Sequence, residues 1–149
     1  LEIARHDKRL IVVTCDVGFK FLDKFKEQFP DRYFNFGTTE ISSMAIVSAM
    51  ALSGFRPVIY SMVNFMIFRP LEALRNTICY HNAPVIIAGV SGSKAYGFLG
   101  LSHNFTKNED INLIWRFPNI RIKLPWTEEE TKYMFLETYQ SENPCYIRL

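Results

Sequence analysis

The chain has 149 residues, of which 48% are apolar, 15% aromatic and 21% charged, a balance that excludes disordered and fibrous chains and suits one domain with a core of its own. A domain of this length buries roughly two thirds of the surface its unfolded chain exposes, so no disulfide or structural metal is needed to hold it. The net charge is +2, with no run of Lys or Arg longer than two, which excludes the electrostatic footprint of nucleic-acid and membrane-coating proteins and favours a small, polar or anionic partner.

In chain order, Leu10 to Cys15 (LIVVTC) is a continuous apolar, β-branched run of strand length. Lys20 to Phe29 follows, where Phe21, Leu22, Phe25 and Phe29 recur at helical spacing. Tyr33 to Phe36 reads as a short strand, Glu40 to Ser53 as a helix, Pro57 to Met62 as a strand and Arg69 to Tyr80 as a helix. Further on, Pro84 to Val90 is a buried strand, Asp110 to Arg116 a short helix, Asn119 to Leu124 a strand, Glu128 to Tyr139 a helix and Cys145 to Leu149 a last strand. Six strands alternating with five helices predict an α/β fold: a doubly wound, mostly parallel six-stranded sheet with helices on both faces. Parallel neighbours need a crossover, and the helices that supply it must cover both faces. Residues 1–149 read as a single domain.

Two segments depart from this pattern. The helix from Glu40 is apolar or small nearly all round, where a helix facing water should show a polar stripe. It is expected to be buried on several sides, and Ser42, Ser43, Ala45, Ser48 and Ala49 would let another backbone approach closely at a subunit or domain interface. The second departure is the glycine-rich stretch from Ser91 to Glu109, too long for a plain strand-to-helix connection and therefore expected to be functional. It follows the C-terminal end of a strand, where open α/β sheets bind ligands.

Cys15, Cys79 and Cys145 lie 64 and 66 residues apart, with no CxxC and no Cys/His pairing of metal-ligand spacing, so a reducing, cytoplasmic setting is expected and no metal site is predicted. The longest charge-free stretch, Asn76 to Ser93, is broken by His81, Asn82, Pro84 and two glycines, which makes a membrane span an unsuitable reading. No initiator Met or basic leader opens the chain, and it stops abruptly on PCYIRL, which reads as a section of something longer.

Among chemistry-bearing residues, Glu40 opens the apolar helix directly after GTT. Helix capping accounts for a carboxylate there, while a lone carboxylate in an apolar setting also suits proton handling. Phe65 and Phe68 lie between a strand and a helix with Pro70 in its early turn, placed either for the core or for a platform under a flat heterocycle. His103, among Ser102, Asn104 and Asn108, is either a surface histidine or a donor to a substrate oxygen. His6 and His81 read as surface residues. The seven glycines never fall into a P-loop or GxGxxG spacing, and no nucleophile elbow or metal-binding histidine pair is present.

Taken in order, TCDVG, FGTTEISSMAIVSAMALSGFRPVIYSM, NFMIFRPLEALRN, PVIIAGVSGSKAYGFLGLSHN with ED soon after, FPNIRIKLPWTEEE and PCYIRL resemble the pyrimidine-binding domain of transketolase-like thiamine diphosphate enzymes. The resemblance covers the whole chain and implies the same α/β fold. It further implies that Glu40 hydrogen-bonds the ring nitrogen of the cofactor's aminopyrimidine and so promotes loss of the thiazolium proton, that Phe65 stacks on the pyrimidine with Phe68 and Met62 completing an apolar wall, that His103 faces the substrate as a hydrogen-bond donor, and that Asp16 lies near the thiazolium. Such enzymes hold the diphosphate through Mg²⁺ in a separate domain with a Gly-Asp-Gly, which this sequence lacks. The implied partners are therefore a second copy in a homodimer, a diphosphate-binding domain or subunit, or both, and the implied substrate is a sugar phosphate or a 2-oxo acid. Transketolases tend to carry a sugar-reading acid where this chain has Leu99. Transfer of a two-carbon ketol unit thus stands beside a deoxyxylulose-phosphate-synthase-like or 2-oxo acid dehydrogenase β-like reaction, and beside a non-catalytic scaffold of the same fold.

Overall fold

Side chains alternate between the two faces of a strand, so a run of consecutive apolar residues must be covered on both sides. The computed structural model, which describes residues 1–91 and 96–149, shows how. Strands β1 (Leu10–Thr14), β2 (Tyr33–Asn35), β3 (Arg56–Met62), β4 (Ile86–Val90), β5 (Arg121–Lys123) and β6 (Cys145–Arg148) form one sheet in the order β2-β1-β3-β4-β6-β5. Every neighbouring pair is parallel, with Val12 opposite Val58 and Ile59 opposite Ile87, so the sheet is wholly rather than mostly parallel.

Ile11, Val13, Ile59, Ile87 and Tyr146 point to one face and pack under α3 (Glu40–Leu52), the segment 64–79 and α5 (Glu109–Ile114). Leu10, Val12, Val58, Ile86 and Ile147 point to the other, under α1 (Glu2–His6), α2 (Asp23–Gln28) and α6 (Glu128–Gln140). Helices therefore cover both faces. Helix α1, five residues with a single buried side chain, carries too little periodicity to be read in advance. Gly89 is required where it stands: a Cβ there would lie 2.9 Å from Cε2 of the wholly buried Tyr146.

The helix expected from Arg69 starts earlier, at Asn64, and is wound wide. The Arg69 amide reaches back five residues to the Asn64 carbonyl at 3.3 Å, and the Tyr80 amide to that of Arg75 at 3.0 Å, on either side of α4 (Leu71–Ala73). Pro70 explains the first of these turns, because it has no amide to donate and its ring would press on the carbonyl of Met66 in a regular helix.

Within this chain helix α3 buries one face only. One face, with Met44, Val47 and Ala51, is in the core, and Ser48 donates to the Thr77 carbonyl. The opposite face exposes Ile41 (59%), Ala45 and Leu52 (56%). Among the described residues no helix is long and apolar enough to cross a membrane, and the three cysteines are free and buried.

Candidate active site

The sheet order reverses between β1 and β3, and an open parallel sheet leaves a crevice beyond its strand ends at that point. A cavity of about 300 Å³ lies there. Cys15, Asp16 and Val17 reach it from the end of β1, Met62 and Phe65 from the end of β3, Thr38 and Glu40 from the entry to α3, and Tyr96 and His103 from the loop after β4. Asn35 ties the end of β1 to the entry to α3: its Oδ1 accepts from the amides of both Asp16 and Gly37 at 3.0 Å. Asp16 is thereby kept in a left-handed conformation, φ 54°.

Glu40 is the first residue of α3, yet its carboxylate does not turn back to cap the helix. It is only 3% exposed, and its Oε2 accepts from Nη1 of Arg69 at 3.0 Å. The guanidinium of Arg69, half exposed, lies 4.3 Å over the ring of Phe65. Beneath them, the Cys15 thiol donates to Ser43 at 3.4 Å, and burial, reinforced by the nearby Glu40, pushes its pKa up. Cys15 is thus a neutral wall rather than a nucleophile.

His103 meets Phe65 edge-on, with centroids 5.1 Å apart and planes at 79°, and lies beside Tyr96 at 5.7 Å. Its Nδ1 is 2.8 Å from Ser102 Oγ, whose single proton is committed to the Leu99 carbonyl at 2.8 Å. Ser102 therefore accepts from Nδ1–H, the tautomer that leaves Nε2 as the acceptor. Phe98 and Leu101 of this loop face solvent, so apolar packing does little to hold it. Polar ties do that instead. The buried Asn64 amide donates to the carbonyls of Leu101 (3.0 Å) and Asn104 (2.9 Å), which flank His103, while Asn104 bridges to the carbonyls of Gly100 and Tyr96. Further along, the wholly buried Asp110 accepts from Tyr146 at 2.6 Å and Arg148 at 3.1 Å, pinning the loop's far end to β6.

Of the residues singled out from sequence, Glu40, Phe65, Met62, His103 and Asp16 share this cavity. Phe68 does not line it and packs against the core instead, and Leu99 is exposed on the loop. Residues 92–95 of the long connection lie outside the described residues. Arg69 and Asn64 were missed, although both left a trace: Arg69 stands four residues after Phe65, the spacing of neighbours on one helical face, and Asn64 is the single polar residue between Ser61 and Arg69. Among the described residues no three His, Cys, Asp or Glu side chains are grouped to hold a metal ion.

A buried carboxylate and an aromatic ring thus line one cavity at the switch point of a parallel sheet. All of residues 1–149 match the family described as transketolase, pyrimidine binding domain. The chain belongs to this family. This pyrimidine-binding domain is 31% identical over 150 residues to an apulose-4-phosphate transketolase subunit of Phocaeicola vulgatus, covering 100% of the chain and 47% of that protein. It is 30% identical over 151 residues to 1-deoxy-D-xylulose-5-phosphate synthase of Methylobacillus flagellatus, covering 99% of the chain and 24% of that enzyme. Among solved structures, a split-gene transketolase described as an inactive β4 tetramer superposes with a TM-score of 0.84 at 27% identity, over 99% of the chain and 46% of that structure. Transketolase of Pichia stipitis superposes at 0.81 with 20% identity, over 98% of the chain and 23% of the other, a likeness of fold alone. The domain thus spans about half or less of the relatives it matches.

Proposed function

We propose that this domain provides the pyrimidine half of a thiamine diphosphate site in a transketolase-like enzyme, and that a separate domain or subunit provides the diphosphate half. The observation that carries this reading is Glu40, a carboxylate 3% exposed in a cavity walled by Phe65 and Met62. The residues present fit an aminopyrimidine: one buried oxygen pair for ring nitrogens, one aromatic face for the ring, and a volume at the small end of ligand pockets. When bound, thiamine diphosphate supplies a thiazolium carbon acid that carries an acyl-anion unit.

In this reading Glu40 holds a proton against the pyrimidine nitrogen, Phe65 sets the plane of the ring and Met62 excludes water from it. Asp16 faces the thiazolium side. His103, a donor by the family resemblance, here has Nε2 free to accept and receives a hydrogen bond from a substrate hydroxyl. An acceptor for a hydroxyl suits a ketose phosphate donor and transfer of a two-carbon ketol unit. Two observations favour a second reading, a deoxyxylulose-phosphate-synthase-like use of a 2-oxo acid: the 30% identity to such a synthase, and Leu99 where a sugar-reading acid is expected. Mg²⁺ is assigned to the partner, and the outward apolar face of α3 to the surface that meets a second copy or the diphosphate-binding domain. Three free, buried thiols are in keeping with a reducing, cytoplasmic setting.

The test is a titration of thiamine diphosphate and Mg²⁺ into the domain assembled with a diphosphate-domain partner, alongside Glu40→Gln. Glu40→Gln should keep fold and assembly while abolishing turnover, and substantial residual turnover would remove the proton role. Assays with a ketose phosphate and with a 2-oxo acid as donor then separate the two readings.

A further inference from the structure

Arg69 is the one permanently charged cation that lines the cavity among the described residues, and the reading above gives it no task. It makes two contacts there. Its Nη1 donates to Glu40 Oε2 at 3.0 Å, and its planar guanidinium lies 4.3 Å over the Phe65 ring. A guanidinium is a flat, nitrogen-edged cation, so it satisfies the carboxylate and the aromatic face in the manner of a protonated aminopyrimidine.

We infer that Arg69 sets the affinity of this pocket for a nitrogenous ring by competing for Glu40 and Phe65, so that binding is an exchange in which the guanidinium leaves both. The inference rests on the proposed pyrimidine site. Its physical basis is that Phe65 cannot offer the same face to the guanidinium and to a heterocycle. The ion pair also occupies Glu40 Oε2, the carboxylate oxygen that a ring nitrogen would need. Displacement is feasible because Arg69 is half exposed, so its guanidinium regains water on leaving. Such an arrangement keeps a buried carboxylate paired while no ligand is bound, when an unpaired charge there would be costly.

The test uses the cofactor's pyrimidine fragment, 4-amino-5-hydroxymethyl-2-methylpyrimidine, which has no phosphate to attract the arginine. It is titrated by NMR into the chain, into Arg69→Met, which keeps a helix-forming side chain of similar length, and into Phe65→Ala. The fragment should bind Arg69→Met about threefold to tenfold more tightly than the unmodified chain, the worth of one half-exposed ion pair with its ring contact. Raising the salt from about 0.03 M to about 0.5 M should strengthen binding to the unmodified chain, by screening the pair that must break, and leave Arg69→Met unchanged. Equal or weaker binding to Arg69→Met, with Phe65→Ala weakened, would overturn the exchange while sparing the pyrimidine site. Binding to none of the chains, or binding indifferent to Phe65→Ala, would overturn the pyrimidine site and the exchange with it.

Discussion

The imidazole of His103 stands edge-on to the ring of Phe65, 5.1 Å between centroids, so two residues 38 positions apart in sequence share one wall of the cavity. An edge-to-face pair is worth about 0.5–1.5 kcal/mol beyond the area it buries, and each ring limits where the other can go. Phe65→Ala should therefore weaken thiamine diphosphate binding in the assembled enzyme by roughly tenfold and also broaden the His103 ring signals in an NMR spectrum of the chain. Unchanged affinity would confine Phe65 to packing.

Asn64 is expected to control the same histidine through the backbone. Asn64→Leu removes the donors to the Leu101 and Asn104 carbonyls and should cost about 1–2 kcal/mol in global stability. Its sharper effect is local: hydrogen exchange of amides 97–104 should accelerate, and the ring-current shift of Phe65 on His103 should shrink. A uniform loss of protection across the sheet, with the loop no more affected than β4, would contradict the assignment.

Gly89 and Tyr146 test the sheet beneath the site. Gly89→Ala places a methyl 2.9 Å from a ring that is itself fixed by Asp110, so neither partner can yield cheaply. A loss of about 1–3 kcal/mol in a urea titration is expected. Tyr146→Phe keeps the packing and removes one donor from a buried carboxylate, which should cost about 1–3 kcal/mol and weaken the anchoring of α5. A neutral outcome for either substitution would show that the Tyr146–Asp110 contact does not support the loop.

Alkaline pH should destabilise the fold. Burial pushes the Cys79 thiol up to about 12 and raises those of Cys15 and Cys145, and burial with the Asp110 contact raises the Tyr146 phenol. Each group is held protonated in the folded state, so its contribution is complete below its unfolded pKa, about 8.5 for a thiol, and is lost as pH rises toward the folded value. Tm should be level from about pH 6.5 to 8 and fall above about pH 9, with a gentler fall for Cys79→Ala. A Tm level to pH 10 would contradict the buried-thiol account.

Much of this architecture was legible before any coordinates. Continuous apolar runs such as LIVVTC and PVIIAGV are strands that must be covered twice, and six of them alternating with helices leave few arrangements besides a parallel, doubly wound sheet. Glu40, Phe65 and His103 could be picked out as candidates from where they stand, at a helix start, after a strand or in the long connection, whereas Met62 and Asp16 came only with the family resemblance. The resemblance also placed Phe68 on the apolar wall, where the wide turn before Pro70 instead aims it at the core, one of the two positions its sequence context left open.

By itself, then, the sequence determined the order of elements and the two-sided burial of the strands, which follow from periodicity within a dozen residues, and the neighbourhood of the site, which followed from the strand ends and the family resemblance. Tertiary structure alone decided that Arg69 pairs with Glu40, that Asn64 secures the His103 loop from 37 and 40 residues away, and that α3 turns an apolar face outward. The physical reason is range. A hydrophobic pattern is written along the chain, whereas the partner of a buried charge or amide depends on which strand ends the crossovers bring side by side.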